Sequence, residues 1–143
     1  MNDFRAGRIG DCVILAARVL LVVLFLVFGW RKLTGFEGTV ASFTQGGIPM
    51  PPVAAVVAVV MEFFGGLALL LGVATRPIAL ALAVYTLATA FLGHPYWAMT
   101  GAAQAGAMIN FYKNVSIMGG LLLLYVTGAG KYAVDAWWSA HPR

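Results

Sequence analysis

Three charged side chains interrupt the apolar runs of this sequence, and they are the residues with the greatest capacity for chemistry. Arg18 lies in RVLLVVLFLVFGW, Glu62 in MEFFGGLALLLG and Lys113 in NFYKNVSIMGG. An ion among apolar residues is costly unless an opposite charge or a polar cavity compensates it. The three residues lie at similar depths in the membrane, as judged from their positions within the apolar runs. The sequence therefore predicts a buried Arg18/Glu62/Lys113 cluster with the carboxylate between two cations.

Amide side chains lie beside one of these charges. Asn110, Lys113, Asn114 and Ile117 follow the spacing i, i+3, i+4, i+7 and share one face of a helix. Tyr85 and Gln104 are further polar residues at membrane depth. Two explanations of this polar set stay open. It could hold helices in register through buried hydrogen bonds, or it could line a pocket, open to the outer leaflet, for a quinone carbonyl or a small anion.

The elements that carry these residues are membrane spans. The 143 residues are 62% hydrophobic and 10% charged, whereas a soluble domain carries about 25% charged residues. A helix needs about 20 apolar residues to cross the hydrocarbon layer. The sequence therefore predicts an all-α, integral membrane four-helix bundle as a single domain, residues 1–143. The predicted spans are 11–30, 53–73, 78–92 and 105–126, with a short interfacial helix in segment 34–52.

The third span differs from the others because it has almost no polar side chain, so we expect it to serve mainly in packing. The ATRP segment before it predicts a tight turn. Thr75 is a residue type that caps helices well, and we expect it to cap the third span.

Basic residues indicate the orientation. Five lie on the side of the termini and three on the other side: Arg5, Arg8, Arg76, Lys131 and Arg143 against Arg31, Lys32 and Lys113. Basic residues in short loops stay in the cytoplasm. We therefore expect a multi-pass protein of a bacterial-type inner membrane, surrounded by lipid, with both termini cytoplasmic.

Several classes of site are not expected. The basic residues form no run that would suit nucleic acid. Cys12 is the one cysteine, and His94 and His141 fall on opposite sides of the membrane, so no protein-only metal site is predicted. The sequence also lacks haem, flavin and iron–sulfur patterns. We expect no intrinsic cofactor, and a quinone or another subunit would have to carry any electrons.

Four motifs in order, RVLLVVLFLVFGWRKLTGF, GGIPMPP, MEFFGGLALLLGVATRPIALAL and NFYKNVSIMGGLLLL, resemble the DoxX family from about Arg18 to Leu124. The resemblance implies a small four-helix membrane protein. The family is similar to subunits associated with quinone-linked sulfur oxidation and quinol oxidation, and to partners in thiol and oxidant defence. It marks the following positions: Arg18, Gly29, Lys32, Glu62, Gly66, Gly72, Thr75, Asn110, Lys113, Asn114 and Gly120.

Three functions follow from the residues and the resemblance together. In the first, a membrane subunit of a redox system binds a quinone-like, small hydrophobic or anionic molecule. Glu62, Lys113 and Arg18 would then be catalytic, and the substrate would contact Asn110, Asn114, Lys32 and His94. In the second, a non-catalytic scaffold recruits a soluble oxidoreductase or a second membrane subunit. The third is a small transporter, and a homo-oligomer could complete its path. Whether the chain is an enzyme stays open.

Overall fold

The computed structural model describes residues 7–140, and every regular element in that range is helical. Arg5, His141 and Arg143, used above, lie outside these residues. Four helices are long and apolar enough to cross a membrane. In chain order the elements are α1 (Arg8–Thr34), α2 (Phe36–Gln45), α3 (Pro51–Leu71), α4 (Thr75–Gly93), a 3₁₀ turn (Tyr96–Ala98), α5 (Gly101–Thr127) and α6 (Val134–Ala140). The predicted four-helix membrane fold is confirmed.

The outer surface of the bundle is apolar, as a lipid-facing surface must be. Leu20, Ile109 and Leu123 are 75%, 66% and 65% exposed. The core is small by comparison and is built from all four long helices: Val22, Phe25, Leu69, Ala79, Leu82, Ala83, Leu121 and Leu124.

The helix α3 ends at Leu71, two residues before the predicted bound. Gly72 has φ 70° and ends the helix in the left-handed conformation, which glycine adopts without steric cost. The Gly72 N–H donates to the Leu69 carbonyl and the Val73 N–H to the Ala68 carbonyl. This is the Schellman arrangement that satisfies the last carbonyls of a helix.

The cap of α4 is a correction to the sequence prediction. The Thr75 side chain is buried and its hydroxyl makes no hydrogen bond within the described residues. Instead, the two carboxylate oxygens of Asp135 accept hydrogen bonds from the backbone N–H groups of Ala74 and Thr75, both at 2.8 Å. A carboxylate suits the positive end of a helix better than a hydroxyl does. The chain after α5 therefore closes this end of the bundle.

Candidate functional site

A cavity of about 770 Å³ lies in the half of the bundle away from residues 8 and 140. All four long helices and α2 line it, together with the segment that joins α4 to α5. Most of its wall is apolar, with Phe25 and Phe28 from α1, Phe43 from α2 and Ile117 from α5. A space of this size, with few polar groups in apolar walls, is typical of a small-molecule site.

Glu62 is the acid of this cavity, and both of its oxygens are occupied. Lys32 Nζ lies 2.6 Å from Oε2 in an ion pair, and the Tyr85 hydroxyl donates to Oε1 at 2.6 Å. The side chains of Lys32 and Glu62 are only 21% and 11% exposed. The pair is therefore well protected from solvent, and we name Lys32, Glu62 and Tyr85 the acid triad.

Two local features bring α1 against Glu62. Residues Val60–Gly65 form a π-helical turn within α3, a distortion that often occurs at functional sites. Gly29 lies one helical turn before Lys32, and a Cβ atom built on it would be 2.5 Å from the Phe63 backbone nitrogen. The backbones of α1 and α3 are thus so close that no side chain fits at Gly29. This close approach holds Lys32 within reach of the Glu62 carboxylate.

The face predicted on the fourth span lies on the opposite wall. Asn110, Lys113, Asn114 and Ile117 all line the cavity. Lys113 Nζ donates to Asn110 Oδ1 at 2.7 Å, and the buried Asn114 approaches the Thr89 hydroxyl at 3.4 Å. The exposed ammonium of Lys113 therefore lies at the edge of the cavity and is bonded to a neutral amide.

The rim beside Lys113 is aromatic. His94, Pro95 and Met99 line the cavity at the turn after α4, and an aromatic cluster supports this turn from outside: Phe91, Tyr96, Trp97, Phe111 and Tyr112. His94 and Lys113 interact electrostatically. The predicted binding residues Lys32, Asn110, Asn114 and His94 are thus brought to one space.

Arg18 is not part of this space, and its predicted place beside Glu62 and Lys113 is wrong. Its guanidinium donates to the carbonyls of Ala129 and Tyr132, both at 2.6 Å, and the residue is only 2% exposed. Arg18 precedes Lys32 by fourteen residues, about 21 Å along a helix. The prediction relied on the similar depths of the three charged residues within their apolar runs. It could not show that the chain after α5 folds back and supplies the partners of Arg18.

Asp135 completes the environment of Arg18. Partial burial alone would raise the pKa of this carboxyl, but hydrogen bonds from the backbone N–H groups of Thr75 and Ala74 lower it, as does the positive charge of Arg18. The net result is a pKa below the ordinary value. We name Arg18, Asp135 and the segment from Gly128 to Val134 the tail latch. Sequence reasoning missed it because Asp135 is far from its partners along the chain.

The expectation that the third span serves mainly in packing is also wrong. Tyr85 completes the acid triad, and Thr86 and Thr89 line the cavity. The signal was weak because these hydroxyls belong to residues that are common in apolar helices. Tyr85 was recognisable as polar at membrane depth, but nothing in the sequence linked it to Glu62.

Among residues 7–140 no group of three or more His, Cys, Asp or Glu side chains is arranged to hold a metal ion. The polar groups of the cavity are instead two ammonium ions, one carboxylate, one imidazole, two amides and hydroxyls. This set can bind and orient a polar head and can exchange protons with it.

Comparison with known proteins places the chain among membrane proteins. The model of the DoxX family matches residues 13–95. The chain is 48% identical to the inner membrane protein YphA of Escherichia coli over 93% of this chain and 94% of that protein. It is 41% identical to the inner membrane protein YqjF of the same organism over 90% and 93% of the two chains.

A more limited match is to the putative oxidoreductase CatD of Bacillus subtilis. The identity is 36% over 70 residues, which are 49% of this chain and 51% of that protein. No solved structure matches the chain significantly.

Proposed function

The chain belongs to the DoxX family, and we propose that it is an inner-membrane subunit of a redox system that binds a quinone-like molecule in its cavity. The single observation that carries this proposal is the cavity itself, an apolar space of about 770 Å³ with a protected carboxylate on one wall and a cation on the other.

The apolar walls suit the body of such a molecule. Phe25, Phe28 and Phe43 offer aromatic surfaces against which a flat ring can pack. α1 and α5 both line the cavity, and their outer faces are apolar. In our proposal a lipid-soluble molecule enters from the hydrocarbon layer. The site thus matches a ligand that partitions into membranes.

The polar groups suit the head. Lys113 donates to a neutral amide and retains two further N–H groups for a ligand oxygen. Asn110 and Asn114 lie within one helical turn of Lys113 and would orient the head of the ligand. The acid triad on the opposite wall would supply or accept a proton when the head is reduced or oxidised. A separate protein would exchange electrons with the bound molecule.

The link to redox chemistry has one further support. The partial match to CatD concerns a protein named as a putative oxidoreductase, and it covers half of this chain. In our proposal the chain contributes the membrane site, and a soluble oxidoreductase or a second membrane subunit contributes the electron carrier.

A direct test measures binding of 2-methoxy-1,4-naphthoquinone to the purified protein in lipid nanodiscs. We would use a Cys12→Ser background because Cys12 is exposed and quinones add to thiols. The expected result is saturable binding in a calorimetric titration, with a rise in the midpoint of thermal denaturation as ligand concentration increases.

Two tryptophan substitutions provide the matched comparison. Val57 lines the cavity, whereas its neighbour Val56 does not, and they are 46% and 52% exposed. Val57→Trp should narrow the cavity and weaken binding, and Val56→Trp should bind as the parent does. Equal binding by both variants would reject the cavity as the site. If the parent binds neither this quinone nor its anionic 2-hydroxy analogue, the scaffold function is favoured.

A further inference from the structure

The charges that face the cavity do not balance. Lys32 and Glu62 form an ion pair and cancel. Lys113 donates to the neutral Asn110, and no carboxylate of residues 7–140 lies within ion-pair distance of it. The His94 side chain also faces the cavity and adds no negative charge in either of its protonation states. The cavity therefore carries an excess of one positive charge.

The hydrogen-bonding groups of the cavity that have no partner within residues 7–140 also favour an anion. Both oxygens of Glu62 already accept short hydrogen bonds, from Lys32 and Tyr85. The oxygen of the Asn110 amide accepts from Lys113, which leaves its NH₂ group available. The free groups nearest to Lys113 are thus mainly donors, and they suit a ligand head that only accepts hydrogen bonds.

A cation at membrane depth is costly when only a neutral group accompanies it. Lys113 lies twelve residues after the first residue of α5, about 18 Å along the helix. A negatively charged ligand would supply the missing counter-charge, and a charge-assisted hydrogen bond is stronger than a neutral one. The described part of the chain supplies no opposite charge for Lys113, whereas it supplies Lys32 as the opposite charge for Glu62.

We propose that the cavity selects an acidic amphiphile, a molecule whose apolar body carries one ionised head such as an enolate or phenolate oxygen. Lys113 anchors the anionic oxygen, and the aromatic walls hold the body. This inference rests on the proposed function, since it assumes that the cavity binds a small molecule. It adds the charge of that molecule, which the cavity volume and the family do not specify.

The experiment compares two ligands that differ in charge and share one ring system. At neutral pH 2-hydroxy-1,4-naphthoquinone is an anion, and 2-methoxy-1,4-naphthoquinone is neutral. Both are titrated into the Cys12→Ser protein in nanodiscs of uncharged lipid, which avoids repulsion of the anion by the bilayer. We expect the anion to bind about tenfold more tightly, the ratio typical of one charge-assisted hydrogen bond.

Substitution of Lys113 assigns the preference to this residue. Lys113→Met should bind the two ligands with nearly equal affinity, because it removes the charge and keeps an apolar chain of similar length. Lys113→Arg should keep the preference. Lys131→Met is the matched control, since Lys131 is also exposed but lies in the tail latch, away from the cavity. The control should retain the full ratio.

The outcomes separate the two proposals. Failure of both ligands to bind would reject the proposed function. Binding of both with equal affinity, or tighter binding of the neutral one, would overturn only the charge inference. A preference for the anion that persists in a folded Lys113→Met protein would overturn the role of Lys113, with folding checked by its thermal midpoint.

Discussion

The two ends of the bundle each contain a cation at membrane depth, and they treat it in opposite ways. At the tail latch, Arg18 is almost fully buried and bonded to two backbone carbonyls, with Asp135 nearby. At the cavity, Lys113 is exposed and bonded to one amide. At the first end the chain itself supplies the partners of the cation, whereas the cation of the second end faces a cavity of about 770 Å³.

This difference distinguishes a charge that stabilises the fold from a charge that is available to bind a ligand. A buried ion that is hydrogen-bonded to the protein's own carbonyls holds elements together, and its removal leaves those carbonyls without partners. An ion with unused donors at the edge of a cavity contributes little to packing and can bind a ligand. Arg18 and Lys113 look alike in the sequence, but substitutions should affect stability at Arg18 and binding at Lys113.

The largest expected effect comes from Arg18→Met. It removes the donors to the Ala129 carbonyl, which is buried, and to the Tyr132 carbonyl, which is partly buried. We expect the free energy of unfolding to fall by about 3 kcal/mol, because a buried carbonyl left without a donor costs about 1–3 kcal/mol. Thermal denaturation in detergent, followed by circular dichroism, measures the loss. Arg76→Met is the control, since Arg76 is exposed, and it should change the midpoint little. If the Arg18→Met protein is as stable as the control, Arg18 does not stabilise the fold, and the two ends of the bundle do not differ in the role of their cation.

An intermediate effect is expected at the cavity end from Gly29→Ala. The new Cβ would meet the backbone of Phe63, which cannot move aside as a side chain would. Forcing α1 away should cost about 1–3 kcal/mol and separate Lys32 from Glu62. Gly119→Ala is the matched control, because a Cβ there meets nothing within 4 Å. Equal thermal midpoints for the two variants would show that the close approach is not required.

The smallest effect concerns pH at the tail latch. The lowered pKa of Asp135 means that its stabilising contribution is complete above the ordinary aspartate value, about 3.9, and is lost as pH falls through the lowered value. Solvent screening should keep the contribution below about 1 kcal/mol. The difference in thermal midpoint between the parent and Asp135→Asn should shrink on acidification. A difference that is constant with pH would contradict the ionised cap.

Much of the candidate site was predictable residue by residue. Asn110, Lys113 and Asn114 share a helical face because of their spacing, and the structure places that face on the cavity. Glu62 was recognisable because a carboxylate within an apolar run must have partners. Its actual partners, Lys32 and Tyr85, were not predicted, since a pairing between different helices depends on their relative rotation and separation.

The sequence by itself determined the four apolar helices and the charges within them, because segment length and hydropathy act locally and the bilayer supplies the same environment to every segment. Only the tertiary structure decided which charge meets which partner. That choice depends on contacts such as Gly29 against Phe63 and on the return of Asp135 to the start of α4. These contacts join residues far apart in the chain, and they leave Arg18 enclosed and Lys113 facing a cavity.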